Sequence, residues 1–138
     1  MTTVSYSCEF PYRDYRGNPT PLLLLRISNP TKPDKAIETD AHMDSGAASS
    51  LFAGAFAQPL GMDLFAGRAQ TYVGTSGHRI EARLHGIKIS HPDLGEFDLV
   101  VGFSTGPISR NLLGRDFLNL IQIGFRERHS LFFITPEP

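Results

Sequence analysis

The run AHMDSGAASSLF, residues 41–52, sets an aspartate, a serine and a glycine directly after an apolar segment. Three kinds of chemistry compete for Asp44-Ser45-Gly46. The plainest is a strand-ending turn, because Asp, Ser and Gly satisfy backbone groups locally and tolerate tight bends. A second makes Ser45 a nucleophile, which requires a histidine base and an orienting carboxylate. Met43 and Ala47 stand where Asp-Ser-Gly serine proteases carry flanking glycines, and neither MDSGA nor GTSGH fits the Gly-x-Ser-x-Gly elbow. The third makes Asp44 half of a carboxylate pair that shares one proton and activates a water molecule. The chain has no second Asp-Ser/Thr-Gly, so the partner has to be Asp44 of another copy across a two-fold axis, which predicts a homodimer.

The elements that must position such a site are short. Thirteen glycines and ten prolines are spread through 138 residues, and between them apolar residues recur mostly with the alternation of strands. Strands are expected at 4–11, 22–28, 36–43, 70–73, 80–89, 97–103 and 112–113. Helical segments are expected at 53–60 (AGAFAQPL) and 115–120. NPTKPDK, 29–35, reads as a loop. LIQIGFRERHSLFFI, 120–134, reads as a hairpin around a charged turn at 126–129, with a Pro-rich tail beyond it.

Composition removes several function classes. Thirteen basic residues against fourteen acidic ones leave no track for phosphates, so no nucleic acid is expected. The five histidines, His42, His78, His85, His91 and His129, show neither a His-x-x-x-His pair nor a cysteine partner. Neither metal nor cofactor is expected. The longest purely apolar run, LLLL at 22–25, falls far below the roughly 20 residues that cross a bilayer. Cys8 has no second cysteine to pair with, and MTTVSYSCEF has no secretory pattern, so a cytoplasmic setting is expected. The length suits a single domain over residues 1–138.

With these pieces in view, MDSGAASSLF resembles the Asp-Thr/Ser-Gly-Ala signature of retropepsin-type aspartic proteases, and NLLGRDFL resembles their second, C-terminal motif. The likeness runs from about Leu22 to Ile134 and is nearest to the bacterial and cellular single-domain members. It implies a mainly β acid-protease fold, a closed, barrel-like sheet with one or two short helices, active as a homodimer on peptide or protein substrates. By resemblance, Asp44 is the catalytic carboxylate, and Ser45, Gly46 and Ala47 support its loop. Ser50 matches a second small hydroxyl residue of the motif. Gly74, Thr75, Ser76 and Gly77 form the tip of a flap whose N–H groups hold an extended peptide as an added strand. Ile108, Arg110 and Leu112 line the subsites. Leu113, Gly114 and Arg115 support the site, Gly114 because only glycine permits close backbone approach. The C-terminal hairpins of both subunits are expected at the dimer interface.

Two departures accompany the likeness. Ala48 stands where the retroviral pattern has an aspartate paired with the arginine of the second motif, while Arg115 is kept. Arg115 is therefore expected on Asp116, on a neighbouring carbonyl or on the other subunit. His42 replaces an apolar residue, and strand alternation points it away from the site as a satisfied structural side chain. The same fold also admits a different function class, a catalytically silent peptide-binding or dimerisation module.

Overall fold

A computed structural model describes residues 3–74 and 76–136 of the chain. In chain order the strands are β1 (Cys8–Pro11), β2 (Arg13–Tyr15), β3 (Asn18–Thr20), β4 (Leu22–Asn29), β5 (Lys32–Met43), β6 (Leu51–Phe52), β7 (Arg68–Val73), β8 (Arg79–His91), β9 (Gly95–Ser104) and β10 (Leu112–Leu113). Among the described residues a single short α-helix, α1 (Arg115–Leu118), precedes β11 (Ile121–Arg126) and β12 (Leu131–Pro136).

The four-leucine run shows how alternation builds the sheet. Leu23, Leu25 and Ile27 of β4 point inward, at 4% exposure or less, while Leu24 faces out at 51%. From Leu23 to Ile27 this is strand periodicity of two; Leu22, at the start of the strand, is buried as well.

Seven strands form one sheet in the order β4-β5-β10-β6-β9-β8-β7, and a further pairing of β4 with β8 closes it on itself. The long β8 makes this possible. One of its edges pairs with β9 from Ala82 to His91. The other carries β7 along Arg79 to Leu84, then β4 along Lys88 to Ser90. One end of β8 therefore belongs to a projecting hairpin and the other to the barrel wall. Where β7 enters, Gly67 is required: a Cβ there would lie 2.3 Å from the Leu84 carbonyl oxygen.

A second sheet, β1-β12-β11, joins the two ends of the described chain. Phe10 stacks on Phe132 at 5.2 Å between ring centroids. Phe132 and Ile134 belong to the same buried cluster as Leu23, Ile27, Met43, Phe103 and Phe117. The two sheets thus share a core.

Several sequence expectations need correction. The helix expected over 53–60 is a 3-10 turn at Gly54–Phe56 followed by irregular turns. Pro59 lacks an N–H and disfavours helix at Gln58. Gly54 also packs so tightly that a Cβ would meet the Ser104 carbonyl at 1.8 Å. The helix expected over 115–120 stops at Leu118. The segment 29–35 is mostly strand: Pro30 and Thr31 make a tight turn, and the β4–β5 register shifts between Ser28 and Asn29. The Asn29 side chain accepts from the Thr31 N–H at 3.0 Å and shapes that turn. The first strand begins at Cys8, later than expected. The β2–β3 hairpin was not foreseen; Arg16 and Gly17 turn it with φ of 53° and 84°, the signature of a two-residue primed turn. The C-terminal hairpin is present, with a 3-10 turn at Glu127–His129 and left-handed Ser130.

Phe117 is fully buried and meets Phe97 edge-on at 5.1 Å. Phe117→Ala should lower unfolding free energy by about 3–5 kcal/mol, read as a shifted urea midpoint with unchanged slope.

Candidate active site

Asp44 follows the last residue of β5, at the point where the parallel strand β10 lies alongside. Its N–H donates to the Leu113 carbonyl at 2.9 Å, which ties the loop to β10 as the strand ends. The Gly46 N–H donates back to Asp44 Oδ1 at 2.9 Å, and a Cβ on Gly46 would come within 3.1 Å of that oxygen. Glycine therefore lets the backbone cap its own carboxylate.

The other end of the loop is held by Ser50, which is fully buried. Its Oγ donates to Asp116 Oδ1 at 2.7 Å and accepts from the Gly114 N–H at 3.0 Å. The Ser50 N–H donates to Asp116 Oδ2 at 2.9 Å. Asp116 Oδ1 also accepts from the Phe117 N–H at 2.8 Å, so one carboxylate joins the loop to the first turn of α1. A Cβ on Gly114 would lie 2.7 Å from the Ala47 carbonyl oxygen. Arg115 reaches the same loop: its N–H donates to the Ala47 carbonyl and its Nη1 to the Ser45 carbonyl, both at 2.8 Å. Of the partners expected for Arg115, the neighbouring carbonyl is the one observed.

Above the loop stands the β7–β8 hairpin. Gly74 and His78 close it, with the Gly74 N–H donating to the His78 carbonyl at 2.9 Å, and Gly77 turns with φ of 79°. Ser76 and Gly77 are exposed at its tip; Thr75 lies outside the described residues. Tyr72 enters beneath the hairpin, and its hydroxyl donates to the Ser50 carbonyl at 2.9 Å. Burial, reinforced by the Asp116 carboxylate, pushes this phenol up to about 12, so it remains a donor throughout the neutral range. Gly102 makes room for the ring, since a Cβ there would lie 2.6 Å from the hydroxyl.

A cleft of about 550 Å³ lies between loop and hairpin, and Asp44, Gly46, Ala47, Gly74, Leu112 and Arg115 all line it. That volume suits an elongated small ligand or a few peptide residues. Leu113 and Gly114 are buried behind it, and Ser45 is exposed beside it. Two expected lining residues stand elsewhere within the single chain. Ile108 borders a separate hollow of about 420 Å³ with Gly54 and Leu64. Arg110 places its guanidinium 5.3 Å above the Tyr15 ring.

The sequence reading did not single out Gln70, Thr71 and Ile80, which also line the cleft. Only their positions on the two hairpin strands could have flagged them. Nor did it find Asn111, whose amide nitrogen donates to the Asp40 carbonyl at 2.9 Å and whose Oδ1 accepts from the Ala53 N–H at 3.0 Å. This side chain clamps the strand before Asp44 to the segment after β6.

His42 departs from the expectation of a satisfied residue facing away. Its Nδ1 is buried, has no hydrogen-bond partner among the described residues, and lies 3.9 Å from Asp44 Oδ2. Residues two apart along an extended chain share a face, so His42 and Asp44 lie on the same side, with Met43 buried on the other. Burial, with the Arg110 charge adding to it, lowers the His42 pKa below the usual 6.5, against the opposing pull of Asp44 and Glu127.

No protein-family model matches the chain, and no curated protein does. Solved structures do. The chain is similar to the EIAV protease in complex with the inhibitor HBY-793, at 19% identity over 78% of this chain and 92% of that one, with a TM-score of 0.53. It is also similar to a retropepsin-like aspartic protease from Rickettsia conorii, at 20% identity over 94% of this chain and 99% of that one, with a TM-score of 0.63. The fold is therefore retropepsin-like, as the two sequence motifs implied.

The histidines carry a pH prediction. His42 and His91 both have pKa values lowered below 6.5 by burial. Below pH 6.5 the unfolded chain thus binds protons that the folded chain resists, so their contribution is complete above that pH and is lost as pH falls. The thermal midpoint should drop between pH 7 and pH 5. A His42→Gln/His91→Gln variant should show a shallower drop by calorimetry.

Proposed function

We propose that the protein is an aspartic endopeptidase that hydrolyses peptide bonds between the Asp44 side chains of two subunits. The observation that carries this reading is the placement of Asp44. It opens onto the floor of a cleft roofed by a hairpin, with Oδ1 held by the Gly46 N–H, in a retropepsin-like fold. Each chain offers one Asp-Ser-Gly, and a proton-sharing pair needs two, so the active species is a homodimer.

Two adjacent carboxyl groups hold one proton between them because like charges at such range do not both ionise. The ionised Asp44 takes a proton from water as the water attacks the peptide carbonyl carbon. The protonated Asp44 donates to the carbonyl oxygen, giving a gem-diol; the carboxylate so formed then takes back a diol hydroxyl proton while the other Asp44, now protonated, gives its proton to the amine nitrogen, which leaves. No covalent intermediate forms. The backbone N–H groups of the β7–β8 hairpin would bind the peptide as an added strand and exclude water above it.

The flap role of Gly74, Thr75, Ser76 and Gly77 belongs to this proposal, as do subsite roles for Ile108, Arg110 and Leu112. Since Ile108 and Arg110 stand apart from Asp44 within one chain, they would reach substrate only where the second subunit extends the cleft.

Asp44→Asn should leave a folded dimer by sedimentation and lower cleavage of a peptide library by about a hundredfold or more. Undiminished cleavage would end the proposal. A parent protein that binds extended peptides and cleaves none between pH 3 and pH 8 would favour the silent binding module. Specific activity should also fall on dilution as dimers dissociate, and a cleaving monomer would contradict the paired mechanism.

A further inference from the structure

The cleft holds a cation that no carboxylate of the described residues neutralises. Among the described residues that line it, only Asp44 and Arg115 carry charge. No carboxylate of the described residues lies within 4.0 Å of the Arg115 guanidinium. The neighbouring Asp116 is occupied, its two oxygens taken by the Ser50 N–H, the Ser50 hydroxyl and the Phe117 N–H. Position 48, whose carbonyl accepts from the Asp116 N–H at 3.3 Å, is an alanine.

Arg115 uses one N–H, on Nη1, to hold the Ser45 carbonyl. A guanidinium has five such donors in a planar fork that matches a carboxylate. The donors left over, on an exposed side chain at the wall of the cleft, make a place for an anionic group. The negative Asp44 at the same cleft sets where that group goes: away from the reacting bond, toward the arginine.

We infer that Arg115 makes the cleft selective for peptides carrying a carboxylate, and this rests on the endopeptidase reading only for the cleavage arm of its test. The carboxylate comes from a Glu or Asp side chain near the scissile bond or from the free C-terminus of a short substrate; both present the same group to the same fork.

The test uses matched peptides, Glu against Gln at each position around a cleavage site and free acid against amide at the C-terminus. The Asp44→Asn protein gives binding by fluorescence anisotropy, and the parent gives kcat/KM. An exposed ion pair is worth about a fivefold preference, which should shrink as salt rises from 50 to 500 mM. Preference in the side-chain pairs assigns the Glu or Asp source; preference in the terminal pair assigns the C-terminus.

Ala48→Asp supplies an internal carboxylate beside Arg115 while leaving the arginine on Ser45, and it should remove the preference for the charged peptide. Arg115→Gln, checked for folding by circular dichroism, should remove it too. Equal binding and equal rates for all pairs would overturn the inference, as would a preference that survives both substitutions. A parent that cleaves nothing while Asp44→Asn still binds the charged peptides more tightly would sink the endopeptidase reading and leave the arginine's selectivity standing.

Discussion

The carboxylate of Asp116 is the point on which the site depends. It accepts both the N–H and the hydroxyl of Ser50, and through Ser50 it fixes the far end of the loop that begins at Asp44. Ser50 in turn receives the Gly114 N–H on its hydroxyl and the Tyr72 hydroxyl on its carbonyl. The Asp44 loop, β10, α1 and the roofing hairpin therefore meet at one buried serine. Each of these bonds is modest in water, but buried donors left without acceptors cost about 1–3 kcal/mol apiece. Phe117, next along the chain, drives the same turn into the core. Packing and polar satisfaction hold the loop in the same position.

The barrel explains why that loop faces a cleft at all. Because β8 gives one edge to β7 and then to β4, a single strand supports both the wall and the overhanging hairpin. The hairpin stands over Asp44 as a continuation of the sheet, so its height above the loop is set by the register of β8 with β9. Tyr72 props the near end from below and gives that spacing a hydrogen-bonded contact.

Much of the strand architecture was legible in sequence because alternation is a local signal. The strand at 22–28 was legible in this way, while the run of four leucines left its inward face to be set by packing. What was missed was short or determined from afar. Leu51 and Phe52 make a strand of two residues only because β9 and β10 are there to pair with them. Gly54 is glycine because of Ser104, far away in the chain. Over 53–60, alanine's helical propensity yields to Pro59 and to that contact.

By itself the sequence determined the identity of the candidate acid, the glycines around it, the order of the two motifs and the presence of one Asp-Ser-Gly per chain, since residue type and spacing are properties of the chain alone. The tertiary structure decided which groups those residues meet. It put Arg115 on the Ser45 carbonyl with no carboxylate of the described residues within 4.0 Å, and gave Asp116 the task of holding Ser50. Such contacts join residues up to 70 positions apart, and only the closure of the sheet brings those distant segments within hydrogen-bonding reach.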